Sequence, residues 1–157
     1  MKQIPLTKGM FAIVDDDMYD YLMQWKWHVS QGTSTWYAER VEKGKRFKMH
    51  RVIMNVPTGM DTDHINHNGL DNRISNLRIC TRKQHCWTRR PKAGRYKGVV
   101  FCKQRNTWQA RIFLHDRKPT RLGSYKDAAD AARAYDAAVI KHYDKFAYTN
   151  FRRGKPK

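Results

Sequence analysis

The sequence predicts an α+β chain built as two small units, and three observations carry that prediction. Short runs rich in β-branched and aromatic residues (10–14, 36–41, 46–49, 96–102, 108–115 and 120–125) are bounded by Gly, Pro, Asn and Asp. Two stretches carry helix signatures instead. Thr81 opens a Thr-x-x-Gln capping box with Gln84, and 127–142 sets Ala128, Ala131, Ala132, Tyr135, Ala138 and Val139 on one stripe. Between these helices, Pro91-Lys92-Ala93-Gly94-Arg95 reads as a basic linker in which Pro and Gly break structure. A chain of 157 residues can bury one ordinary core or two small ones; the linker favours two, over 1–92 and 93–153.

Taken in order, 10–14 is a strand. Asp15-Asp16-Asp17 then supplies acids to the start of a helix carrying Tyr19, Leu22, Met23 and Trp25. Three adjacent aspartates could hold a metal, but at a helix N-terminus they are more simply cap and dipole partners. The runs 36–41 and 46–49 form a hairpin about a turn at 42–45, with Trp25, Trp27 and Trp36 as its core and flank. Met49-His50-Arg51 leads into an apolar run, 52–54, closed by Pro57. His28 and His67 take structural roles.

The densest chemistry lies between Asp63 and Arg90, DHINHNGLDNRISNLRICTRKQHCWTRR. Asp63 and His64 are adjacent, so in a regular strand they face opposite ways, and both serve one site only at a strand end. His67-Asn68-Gly69 carries a turn signal, 74–79 reads as a second short strand, and a helix runs from 82 to about 90, where Pro91 stops it. His85 and Arg89 share a face of that helix. A strand-loop-strand-helix unit of this kind can bring Asp63 and His85 to one metal ion, with His64 beside it and Asn76 behind the loop. Hydrolysing a phosphodiester needs an activated water, and a neutral imidazole takes its proton at cellular pH. One carboxylate and one imidazole leave a cation open positions for phosphate oxygens and water, which suits Mg²⁺ or Mn²⁺ better than a closed Zn²⁺ site. Arg78, Arg82 and Arg89 could clamp neighbouring phosphates.

His64, Asn76 and His85, with eleven and eight residues intervening, resemble the H, N and H of HNH nucleases over roughly 49–90. The resemblance implies a ββα-metal core. It also implies Asp63 and His85 as ligands of a divalent ion, His64 as general base, and Asn76 holding the base's backbone and loop. Phage-type relatives share Asp-His-Ile-Asn and Ser-Asn-Leu-Arg and usually place Asn where this chain has His85, which matches the broader HNH pattern. His50, in a Met-His-Arg like that leading into phage HNH sites, either supports the active site, binds a phosphate, or packs as a structural residue.

Beyond the linker, three strands and a helix follow. In the middle strand Trp108, Ala110, Ile112 and Leu114 face one way, and Gln109, Arg111, Phe113 and His115 the other. Tyr-Lys-Gly-Val at 96–99, Trp108-x-Ala-x-Ile112, Arg121-Leu-Gly123, Ala-Ala-Arg-Ala-Tyr-Asp at 131–136 and Asn150-Phe151 resemble an AP2 DNA-binding domain, a three-stranded antiparallel sheet laid in a major groove and backed by one helix. The resemblance implies that Lys97, Lys103, Gln109, Arg111, Phe113 and Arg121 face DNA. Arg and Gln would read base edges and Lys would contact phosphate. Val100 and Cys102 stand where plant-type members carry arginines.

Composition agrees with a nucleic-acid partner. The net charge of +18 comes from 32 basic against 14 acidic residues. No apolar run approaches the ~18 residues of a membrane span, and 1–5 lacks the apolar stretch of a secretory signal, so a cytoplasmic protein is expected. Three cysteines without a C-x-x-C pair argue against a disulfide framework or a Cys-type zinc site. The expectation is a metal-dependent endonuclease acting on double-stranded DNA, similar to phage-encoded homing enzymes acting in a bacterial host, monomeric in solution and anchored by its AP2-like module. The competing class is a DNA-binding regulator on a silent HNH scaffold. A basic coating protein would explain the charge but not the spacing.

Overall fold

The computed structural model describes residues 1–114 and 118–151. His115, the end of the expected middle strand, Asp116 in the connection after it, and 152–153 lie outside the described residues. The chain divides into two compact units, Met1–His85 and Cys86–Lys157, of mixed α and β structure with several small sheets.

In the first unit β1 (Lys2–Pro5) pairs antiparallel with β2 (Phe11–Val14), and α1 (Asp16–Leu22) follows. β3 (His28–Gln31), β4 (Trp36–Glu42) and β5 (Lys45–Lys48) form a second antiparallel sheet. The turn between β4 and β5 has Lys43 and Gly44 at φ 48° and 75°, the left-handed pair that a two-residue hairpin requires. Ile4, Ala12, Val14, Leu22, Trp27, Val29, Ala38 and Met49 close the core, with Trp25 and Trp36 packed against it as expected. β1 and β3 carry only one buried apolar residue each, Ile4 and Val29, so neither shows the alternation that marks a strand in sequence.

Asp15 stands at the N-cap position of α1, but its side chain does not cap that helix. Its Oδ2 accepts the N–H of Ile74 at 2.7 Å, while Asp16 pairs with the N-terminal ammonium at 2.7 Å. The capping role expected of Asp15 gives way to a tertiary bond. β2 reinforces it: Ile13 N–H donates to Leu70 O at 2.8 Å, and Asn72 N–H donates to Ile13 O at 2.7 Å. The N-terminal hairpin thereby holds the loop that carries Asn72.

The apolar run after His50 forms part of a single helical turn, α2 (Met49–Ile53), which buries Met49 and His50. β6 (Asp61–His64) and β7 (Leu77–Cys80) pair antiparallel, with Asp63 opposite Arg78 and His64 opposite Leu77. The second strand starts later than the sequence suggested, because Ile74–Asn76 is a 3₁₀ turn. In α3 (Arg82–Thr88) the capping box forms: Gln84 N–H donates to Thr81 Oγ1 at 3.2 Å, and Gln84 Oε1 accepts the Thr81 N–H at 2.8 Å.

In the second unit β8 (Val99–Cys102), β9 (Thr107–Ile112) and β10 (Thr120–Tyr125) form an antiparallel sheet with β9 central. α4 (Ala128–Tyr143) is capped by Asp127, whose Oδ1 accepts the Ala129 N–H at 2.6 Å. Ala131, Ala132, Tyr135 and Val139 are buried, and Tyr135 and Val139 cluster with Ile112. Small side chains allow the close approach. Gly98 is required there, since a Cβ on it would lie 2.0 Å from the Tyr135 ring and its φ is +73°. Asp136 accepts the N–H groups of Asn150 and Phe151, each at 2.8 Å, and the Asn150 amide brackets the backbone of Lys97, which gives the Asn150-Phe151 pair a structural role.

α3 ends at Thr88 rather than near Arg90, and the compact units divide within it rather than in the linker. The cause is Lys97. Its ammonium donates to the carbonyl oxygens of Trp87 at 2.5 Å, Arg89 at 2.8 Å and Cys86 at 3.4 Å, satisfying acceptors that a helix end leaves open. Trp87 also stacks on Tyr143, with centroids 4.1 Å apart.

Candidate active site

His64 ends β6, the one position where it and Asp63 can share a site. Its Nε2 lies 3.3 Å from Asn72 Oδ1. An amide oxygen only accepts, so Nε2 carries the proton and Nδ1 keeps its lone pair. Burial pushes the His64 pKa below the ordinary histidine range, opposed by the Asn72 bond and the nearby Asp63 and Asp71. The lowered pKa favours the neutral ring at pH 7.

His50 packs edge-on against His64, with centroids 4.8 Å apart, and Tyr37 leans on both rings. Burial, reinforced by His64, Lys48 and Arg51, lowers the His50 pKa to about 3. A ring held neutral brings no positive charge to the site, and the contacts of His50 are with the Tyr37 and His64 rings. The consequence for stability has a definite sign. Below the ordinary value of 6.5 the unfolded chain binds a proton at His50 that the folded chain refuses until about pH 3, so stability falls with pH across that window and is unaffected by this group above it. Denaturant titrations of wild type and His50→Gln from pH 7 to 4 are expected to show a shallower acid loss in the variant; parallel curves would refute the assignment.

Asn76 holds the loop that follows His64. Its carbonyl accepts the Ile65 N–H at 2.9 Å, its Oδ1 accepts the Asn66 N–H at 3.0 Å, and its Nδ2 donates to Asn66 Oδ1 at 3.1 Å and Asp71 O at 2.8 Å. Asp71 in turn accepts from Asn66 Nδ2 and from both Nε and Nη2 of Arg73. Sequence reasoning missed Asn66, Asp71, Asn72 and Arg73. The available signal was the run Leu70-Asp71-Asn72-Arg73, three polar residues behind a turn, of which Asp71 and Asn72 are buried.

The carboxylates are arranged differently from the simplest expectation. Asp63 Oδ2 accepts Nε and Nη2 of Arg78 at 2.9 and 2.7 Å, so Arg78 faces the proposed ligand rather than open solvent. His85 Nδ1 lies 3.1 Å from Oδ2 of Asp61, a residue the sequence reading passed over, which also takes Arg82 Nη1 at 3.0 Å. Burial and these two carboxylates push the Cys80 thiol up to about 11, so it is no nucleophile. Among the described residues no three His, Cys, Asp or Glu side chains group to hold a metal. A two-ligand site needs no such group: the carboxylate of Asp63 and the imidazole of His85 are hard and borderline donors that fit a divalent ion completed by water and phosphate. Arg89 is exposed and beyond the end of α3, so the helical face expected to join it to His85 does not extend that far.

On the second sheet the outward residues divide. Phe113 is 53% exposed, and Arg121 and Lys103 are exposed. Gln109, expected on an open face, is buried and accepts Arg111 Nη2 at 2.6 Å. Lys97 is corrected too, since its ammonium is occupied by backbone carbonyls and burial lowers its pKa to about 8.

An HNH endonuclease family model matches residues 48–86, the stretch from the end of β5 into α3. An uncharacterised HNH endonuclease of Acanthamoeba polyphaga mimivirus is 30% identical over 149 residues, covering 91% of this chain and 76% of that protein. The chain belongs to the HNH endonuclease family. The matched span contains every residue of the His64 site except Tyr37 and the contacts of β2. The C-terminal part of this HNH protein has a separate likeness. An AP2-like ethylene-responsive transcription factor of Oryza sativa subsp. japonica is 42% identical over 60 residues, 38% of this chain and 9% of that protein. An AP2/ERF and B3 domain-containing transcription factor of Arabidopsis thaliana is 44% identical over 59 residues, 36% and 17% respectively. No helix among the described residues is long and apolar enough to cross a membrane.

Proposed function

We propose that this HNH-family protein hydrolyses phosphodiester bonds of double-stranded DNA, with His64 as general base and a divalent ion, Mg²⁺ or Mn²⁺, held by Asp63 and His85. The observation that carries the reading is the hydrogen bond from His64 Nε2 to Asn72, which leaves Nδ1 as the unprotonated nitrogen of a neutral ring. His64 Nδ1 takes the proton of the attacking water as its oxygen bonds to phosphorus, and the ester oxygen leaves on the opposite side. Bound there, the ion supplies charge neutralisation for phosphate oxygens and the leaving group. Asn76 keeps the 65–66 backbone in place so that the base does not swing away. Arg78, held beside Asp63, is within the site to pair with a neighbouring phosphate. By family similarity the products carry a 3′-hydroxyl and a 5′-phosphate. One such site per chain makes a nick the default product.

The C-terminal unit acts as an AP2-like DNA anchor, supported by its sheet-and-helix architecture and by its likeness to the two plant factors. Arg111, Phe113 and Arg121, with Lys103 at the rim, form the proposed contact face, and the basic excess supplies phosphate affinity. Arg111→Ala is expected to weaken duplex binding by about 1–3 kcal/mol, read by fluorescence anisotropy at fixed salt; unchanged affinity would remove Arg111 from the interface. A phage or mobile-element homing role fits both parts.

Incubating supercoiled plasmid with wild type and Asp63→Ala, in Mg²⁺, Mn²⁺ and EDTA, tests the reaction. Open circles that form only with a divalent ion, and only in wild type, are the expected result. A retarded but intact duplex under every condition would favour the regulator class.

A further inference from the structure

We propose that Asp61 is a positioning residue for His85, holding it as the Nδ1–H tautomer so that Nε2 presents its lone pair to the divalent ion. The proposal rests on the reading of His85 as a metal ligand. Asp61 Oδ2 lies 3.1 Å from His85 Nδ1, and a carboxylate can only accept, so the proton of a neutral His85 belongs on that nitrogen. β6 alternates its side chains, which sets Asp61 and Asp63 on one side of the strand two residues apart. The carboxylate that holds the imidazole therefore stands beside the carboxylate proposed as the other ligand. Arg82 at 3.0 Å and Arg51 at 3.9 Å add positive charge around Asp61. A ligating imidazole whose second nitrogen donates to a carboxylate has a fixed ring orientation and a more basic ligating nitrogen.

The tautomer is directly measurable without metal. In ¹⁵N-histidine-labelled protein, long-range ¹H–¹⁵N correlations followed upward in pH until the His85 signals stop moving are expected to report Nδ1–H for His85 in wild type. Asp61→Ala should shift it toward Nε2–H, whereas Asp61→Asn, whose amide oxygen still accepts, should retain Nδ1–H. Free Mn²⁺ followed by electron paramagnetic resonance should show affinity about 10- to 100-fold weaker in Asp61→Ala and largely preserved in Asp61→Asn, with circular dichroism checking that each variant folds. An Nε2–H signal in wild type, or no change in Asp61→Ala, overturns the proposal. Equal loss of Mn²⁺ in the Asn and Ala variants overturns it differently, by making Asp61 a ligand itself. If wild type shows Nδ1–H yet binds Mn²⁺ no better than His85→Ala, the metal reading of His85 has failed and the proposal falls with it. The metal-free tautomer distinguishes that case from the others.

Discussion

Replacing His64 with Ala is expected to slow DNA cleavage by about 10²- to 10⁴-fold while leaving duplex affinity nearly unchanged. The ring is aimed by one bond, from Nε2 to Asn72 Oδ1, and burial keeps it neutral, so its loss removes the proton acceptor without removing a contact that anchors DNA. Single-turnover cleavage and anisotropy on the same labelled duplex separate the two quantities. A parallel fall in binding would show that His64 holds substrate rather than activating water. Asn72→Ala tests the aiming separately. It leaves the imidazole in place but frees its tautomer, so an intermediate loss of rate is expected, with the acid limb of the pH profile displaced because the Asn72 bond opposes the effect of burial on His64.

Asn76→Ala carries the largest expected structural effect. The side chain is buried and makes three hydrogen bonds, to the Asn66 N–H, Asn66 Oδ1 and Asp71 O. Truncation removes all three, but Asn66 is exposed and its Oδ1 still accepts the Asn68 N–H, so the main penalty falls on the carbonyl of the buried Asp71, at roughly 1–3 kcal/mol for a buried group left unsatisfied. A loss of about 1–3 kcal/mol is expected in urea unfolding of the first unit. Cleavage should fall with it, because the 65–66 backbone that follows the base loses its support. Asn76→Asp keeps the acceptor for the Asn66 N–H but places a negative charge where Asp71 O requires a donor, so it should rescue little. Wild-type stability in Asn76→Ala would mean that the loop is held by the Arg73–Asp71 pair and the β2 contacts alone.

Local chemistry was legible wherever the deciding partners are near in sequence. Thr81 and Gln84 close a capping box across one helical turn, and Lys43-Gly44 closes the hairpin of β4 and β5. The stripe of α4 was readable because helical period and burial coincide from Ala131 to Val139. β3 was not, since Val29 is its one buried residue and its pairing is specified by Ala38 across the sheet. Asp15 looked like a cap because acids at helix starts usually are, but the N–H of Ile74, 59 positions away, takes its carboxylate instead.

By itself the sequence determined the inventory of the site: an acid and a base side by side at Asp63 and His64, an asparagine and a second histidine at nuclease spacing, and a basic chain suited to nucleic acid. Capping and turn residues were legible too, because they act over a few positions. Only the tertiary structure decided which nitrogen of His64 is free, that His85 faces Asp61, that Arg78 rests on Asp63, and that the ammonium of Lys97 serves helix carbonyls in place of an open face. Each of these is a pairing of hydrogen-bond donors and acceptors between residues separated in the chain. A side chain's partner is set by which groups burial leaves within about 3 Å of it, and that distance exists only once the strands and helices have packed.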